Sequence, residues 1–141
     1  MTERDVKQWL NRAHNIDKEI NNLILERDRA FSKATSAVNG ASGEKVQTSA
    51  QNSTESKYIA YAEYESEIDR RIDELYEVKK EILRAIKKVE NGTYRLLLTL
   101  RYIRFMTWEQ VAEEMNYKDV RWVYRLHGRA LRECSNIKGE E

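Results

Sequence analysis

The sequence predicts an all-α protein: a long helical hairpin or coiled coil followed by a small helical domain. Three observations carry this. Its 141 residues contain no proline, the residue that breaks helix interiors. Charged residues make up 35% of the chain and the mean hydropathy is −0.81, a polarity that suits long solvated helices better than one compact core. Valine, isoleucine and threonine never cluster in a period-two run, so no strand is predicted.

The first element covers about residues 2–37. Apolar or small residues recur at alternating spacings of three and four at Trp9, Ala13, Ile16, Ile20, Leu23, Ala30, Ala34 and Ala37, with Arg27 the one interruption. A repeat near 3.5 keeps one stripe facing a partner helix, as in a coiled coil. Residues 39–56 follow, rich in small polar residues and holding Gly40 and Gly43, and read as a flexible connection.

The second long helix covers about residues 55–90. Its seam is Ile68, Ile72, Leu75, Ile82, Ile86 and Val89, with Lys79 in a polar slot and Tyr58, Tyr61 and Tyr64 near its start. The opposite face is charged and includes Glu65, Asp69, Asp73, Glu77 and Lys80. Asn91 and Gly92 are expected to end it, with the glycine in the left-handed conformation. Two helices of this length must pair with each other or with a second chain. The expected division is therefore a helical hairpin over 1–90 and a second domain over 91–141.

In the second domain Thr93 is the expected cap of an apolar helix over 94–103. After a connection at 104–106, Thr107 and Gln110 form a capping box for a helix from 108 to 115. Residues 116–118 make a turn, with Asn116 suited to the left-handed conformation. Asp119 caps a last helix over about 120–133. Placing Val123, Leu126 and Ala130 inward leaves Arg121, Tyr124, Arg125, Gly128, Arg129 and Arg132 facing out. Placing Trp122 inward would drag Arg125 and Arg129 into the core, where unpaired charge is very costly. Trp122 then lies at the boundary.

Two short helices joined by a tight turn, with Ala112 where they cross, make a helix-turn-helix pattern. Ala112 and Val123 are eleven positions apart, one more than is common, so the turn is expected to be one residue longer. An arginine stripe taken alone is as readily a solvated helix face. Within this pattern it reads as a recognition surface, with arginines for phosphates and guanine edges.

The run 94–102, with Thr107-Trp-Glu-Gln-Val-Ala-Glu-Glu-Met115 and Arg121-Trp-Val-Tyr-Arg-Leu-His-Gly-Arg-Ala-Leu131, resembles the −35-binding fourth region of bacterial sigma factors. More closely, it resembles small phage-borne, sigma-like transcriptional regulators of Gram-positive bacteria of the ArpU type. The resemblance covers about the last third of the chain. It implies a sequence-specific regulator of phage or prophage origin whose last helix enters the major groove of double-stranded DNA. It assigns base or phosphate contacts to Arg121, Tyr124, Arg125 and Arg129; Arg132 and Lys118 complete the candidate set.

Oligomerisation through the N-terminal helices is expected, with RNA polymerase as a further partner. Two alternatives remain: a DNA-packaging protein similar to a terminase small subunit, and a polymerase-binding adaptor that makes no DNA contact. No enzymatic activity, cofactor or metal is implied. Residues 91–141 carry nine Lys and Arg against seven Asp and Glu, a small basic bias with four arginines inside 121–132. His127 and the single cysteine, Cys134, share a helix face, but two side chains make no metal site. His127 reads as a packing or hydrogen-bonding residue, and Trp108, Tyr102 and Phe105 as core aromatics. Neither a secretory signal in residues 1–10 nor a membrane span is read, and a cytoplasmic protein is expected.

Overall fold

A computed structural model describes the backbone of residues 1–39 and 47–140, and the side chains of 1–35 and 54–139. Among these the chain is almost entirely helical, with six helices and no strand. They are α1 (Glu3–Leu10), α2 (Arg12–Asn39), α3 (Gln47–Lys87), α4 (Gly92–Tyr102), α5 (Trp108–Glu114) and α6 (Val120–Glu140). No described helix is long and apolar enough to cross a membrane.

The packing divides the chain into two compact units. One holds residues 1–16 and 75–141, the other 17–74. This partition by contact differs from the partition by chain order at 90/91, because the N-terminal residues pack with the C-terminal helices.

The unit of residues 17–74 is an antiparallel helix pair. Arg27 Nη1 donates to Glu65 Oε1 at 2.6 Å, Phe31 packs on Tyr61 with ring centroids 5.5 Å apart, and Arg71 pairs with Glu19. The position numbers rise on α2 as they fall on α3, so the seam closes within one chain. Ile20, Ala34 and Ile68 are buried along it. Arg27, the interruption in the repeat, is accommodated because Glu65 reaches across to it. Glu65 is therefore half-buried beside the seam instead of lying on the opposite charged face. Of the connection expected over 39–56, residues 40–46 lie outside the described residues. From Gln47 onward the backbone is helical: residues 47–56 contain no glycine or proline to stop a helix that the seam beyond them sustains.

In the other unit the first expected helix is divided at Asn11. The side chain of Arg12 takes the Trp9 carbonyl through Nε at 3.0 Å. The buried stripe of α1 is Val6 and Leu10, with Trp9 half-buried beside it. Thr2 caps α1 in a reciprocal capping box with Asp5. Ala13, Ile16, Val78, Ile82, Ala85 and Ile86 continue the core from the adjoining parts of α2 and α3, and Val89 adds to it just beyond α3.

The Asn91–Gly92 pair does not end α3 in the expected way. No described glycine has positive φ, and Asn91 is the N-cap of α4: its side chain accepts hydrogen bonds from the Thr93 and Tyr94 amides. An asparagine oxygen satisfies two of the orphan amides of a helix start, and this displaces Thr93 from the capping role. In α4, Leu97, Leu98, Leu100 and Tyr102 are buried, while Leu96 is exposed.

Thr107 and Gln110 form the capping box of α5. The helix ends in a Schellman turn: the Tyr117 amide donates to the Ala112 carbonyl at 2.8 Å and the Asn116 amide to Glu113 at 3.1 Å. Asn116 takes the left-handed conformation that this motif requires, with φ 62°. Five residues, 115–119, separate α5 from α6. Helix α6 packs on α1, α4 and α5 and runs to Glu140, beyond the expected end near 133.

Replacing Asn116 by valine should destabilise this unit by about 1–2 kcal/mol, because a β-branched residue is strained at positive φ. Asn116→Gly should be close to neutral. Urea titrations of both variants check this, and equal loss in the two would show that the asparagine side chain matters instead of its backbone.

Candidate nucleic-acid interface

The inner face of α6 fixes what its outer face presents. Val123, His127, the adjacent Ala130 and Leu131, and Cys134 are buried, one or two residues per helical turn, and Leu126 is half-buried. This is the rotation that keeps arginine out of the core. Arg121, Trp122, Tyr124, Arg125, Arg129 and Arg132 are all exposed.

His127 is 8% exposed and is the one buried polar side chain among the described residues. Its Nε2 lies 2.5 Å from the hydroxyl of Tyr102, which is buried in α4. Burial holds the imidazole neutral, with its pKa lowered to about 4, and the nearby Lys7 and Arg101 charges act in the same direction. Burial also raises the Tyr102 pKa, so a neutral hydroxyl and a neutral imidazole share this hydrogen bond. Trp108 of α5 packs on His127 with centroids 4.4 Å apart, and the Arg101 guanidinium sits 4.3 Å over the Trp108 ring. Helices α4, α5 and α6 are thus joined through one polar-aromatic stack.

Tyr124 extends this stack to the surface. Its ring meets Trp108 edge-on at 5.7 Å while it remains exposed. The candidate face is therefore braced from behind by Trp108, which is half-buried instead of lying in the core, and through His127 by the buried Tyr102.

The six candidate residues do not form one equivalent set. Arg121 is 82% exposed, yet it is tied to Asp119: Nε donates at 2.9 Å and Nη2 lies 2.8 Å from the same carboxylate oxygen. Asp119 also accepts the Arg121 amide at 2.9 Å, the bond expected of a helix cap. The Arg121 side-chain hydrogen bonds, followed by that amide, hold the Asp119 carboxyl below its usual pKa; in turn Asp119 raises that of Arg121.

Arg125 lies over the exposed ring of Trp122, 5.4 Å from its centroid. Asp119, Arg121, Trp122 and Arg125 line an open depression of about 200 Å³. Arg129 follows Arg125 by four residues on the same face and has no described ion pair. Arg132 turns away toward α1 and pairs with Glu3 at 2.9 Å. Lys118 lies in the turn, where Glu109, Glu113 and Asp119 line the same shallow surface.

Sequence reasoning left Trp122 at the boundary and missed its pairing with Arg125. The signal was present in their spacing, because residues three apart on a helix are neighbours. It also did not anticipate the acidic partners of Arg121 and Arg132. Among the described residues no group of three or more His, Cys, Asp or Glu side chains is placed to hold a metal ion.

The family described as protein of unknown function DUF1492 matches residues 35–135. The chain belongs to this family. The DUF1492 match begins within α2, includes α3, α4 and α5, and ends within α6, so it takes in the whole candidate face. No curated protein and no solved structure was found to match the chain.

Two outcomes follow from the buried histidine. The unfolded state protonates His127 below its ordinary pKa of 6.5, while the folded state resists protonation until about 4. Stability should therefore fall by up to about 3 kcal/mol as the pH drops through that window. His127→Gln, which keeps an acceptor but does not titrate, should flatten the dependence in denaturant titrations across pH 4–7. Tyr102→Phe strands the ring nitrogen and should cost about 1–3 kcal/mol at pH 7; an unchanged midpoint would show that the pair is not a stabilising contact.

Proposed function

We propose that this protein is a sequence-specific DNA-binding transcriptional regulator of phage or prophage origin. Helices α5 and α6 act as a sigma-region-four-like helix-turn-helix, and α6 lies in the major groove. The observation that carries the reading is the division of α6 between a buried, mostly apolar stripe and an exposed face with Arg121, Tyr124, Arg125 and Arg129. A single helix is slim enough for the major groove, and exposed arginines suit phosphates and guanine edges. The Schellman turn at Asn116 and the capping box at Thr107 support it, because they fix α5 against α6 without covering that face. The resemblance of 94–131 to ArpU-type sigma-like regulators agrees with it.

In this reading Lys118 and Arg132 flank the face and contribute to phosphate attraction. The antiparallel pair of residues 17–74 serves association with a second copy or with RNA polymerase, and the protein acts in the cytoplasm. The chemistry is recognition, with no reaction or cofactor assigned.

Fluorescence anisotropy against duplexes from the protein's own genomic neighbourhood, at two salt concentrations, tests the reading. Selective binding that weakens with salt is expected, since phosphate contacts release counterions. Arg125→Ala should cost about 1–3 kcal/mol if the residue reads a base. An Arg121/Arg125/Arg129→Ala variant should lose binding. No binding by the wild-type chain at low salt would sink the DNA reading and favour the adaptor.

A further inference from the structure

The exposed arginines of α6 are held in different ways, and this bears on what each is able to read. We infer that Trp122 and Arg125 form the base-reading pair of α6, recognising a guanine with a neighbouring thymine. Arg121 and Arg132 then set position on the backbone. The inference rests on the DNA-binding reading above and deepens it.

Reading guanine takes two guanidinium N–H groups aimed together at O6 and N7. A long side chain must be ordered to do this, and ordering costs entropy. Arg125 already lies over the Trp122 ring at 5.4 Å and faces solvent; it feels the charge of Asp119 but makes no described hydrogen bond to a carboxylate. Stacking restricts the guanidinium plane and leaves its N–H edges available.

Arg121 stands differently. Its Nε and Nη2 are directed at Asp119, which also caps the helix, so only the outer edge of the guanidinium is left for a ligand. That edge lies at the first turn of α6, where a helix N-terminus favours a phosphate. Arg132 is drawn toward Glu3, away from the tip of the helix.

Trp122 supplies the second half of the pair. It is 50% exposed, and Arg125 covers one part of its ring. Its indole has no acceptor and a single N–H donor, so its broad apolar surface reads shape and methyl groups. In the major groove the apolar feature that distinguishes one base is the thymine methyl. The depression of about 200 Å³ between Trp122, Arg125, Arg121 and Asp119 has a carboxylate in its wall. Residues three apart on a helix are about 5–6 Å apart, which suits neighbouring base pairs.

Enrichment from a randomised duplex pool, followed by anisotropy on the enriched duplex, tests this with the full chain and its Trp122→Ala, Arg125→Ala and Arg121→Ala variants. The wild type should enrich a guanine next to a thymine. Arg125→Ala should lose the guanine preference, weakening binding on the order of tenfold. Uracil in place of that thymine should weaken the wild type roughly fourfold, the worth of one buried methyl, and leave Trp122→Ala unaffected. Arg121→Ala should bind more weakly yet enrich the same sequence. Enrichment of the wild-type sequence by both Trp122→Ala and Arg125→Ala, or equal wild-type affinity for thymine and uracil duplexes, would overturn the inference while leaving DNA binding intact. Failure of the wild type to enrich or bind any duplex at low salt overturns the DNA reading itself, and the inference with it.

Discussion

An arginine cannot enter a protein core unpaired at tolerable cost, and that constraint sets the rotation of α6. Four arginines lie at positions 121, 125, 129 and 132, and only one phase of the helix keeps all of them in water. That phase turns Val123, His127, Ala130, Leu131 and Cys134 inward. The inner stripe in turn decides which surfaces of α1, α4 and α5 pack against the helix. The fold of this unit and the chemistry of its proposed DNA-facing surface are thus two consequences of one electrostatic requirement.

The buried histidine adds specificity to that packing. A purely apolar stripe would tolerate small slips along the helix. The Tyr102 hydroxyl and the His127 nitrogen must meet, and Trp108 must lie against the imidazole, so the relative heights of α4, α5 and α6 are defined. A buried polar group with its partner in place specifies one arrangement, because alternatives leave it unsatisfied. Tyr124 carries this definition outward through its edge contact with Trp108.

Much of this was legible in the sequence because the signals were local. The seam of α2, the capping box at Thr107, the left-handed Asn116 and the inward Val123 and Ala130 each depend on residues within a turn or two of one another. Other features were hidden for a physical reason. The periodicity runs unbroken across Asn11, so nothing nearby announces that α1 is a separate helix packed on α6. Asn-Gly suits a helix end as well as a helix start, and the choice at Asn91 depended on which amides were left needing an acceptor. The partners of Arg121 and Arg132 are surface rotamer choices, one of them reaching from Arg132 to Glu3 across 129 positions of sequence. Pattern reasoning placed the arginines on a face but had no means of ranking them.

The docking of α1 on α6 has a consequence for synthesis. The hydroxyl of Ser135 donates to the carbonyl of Met1, Lys138 lies over Trp9, and Arg132 meets Glu3, so α1 finds its partners on a helix that lies far later in the chain. A ribosome that has translated α1 to α5 still lacks the surface on which Val6 and Leu10 are covered. Until α6 emerges, those side chains remain open to water or to chaperones, and the unit completes its packing only once that helix has left the ribosome.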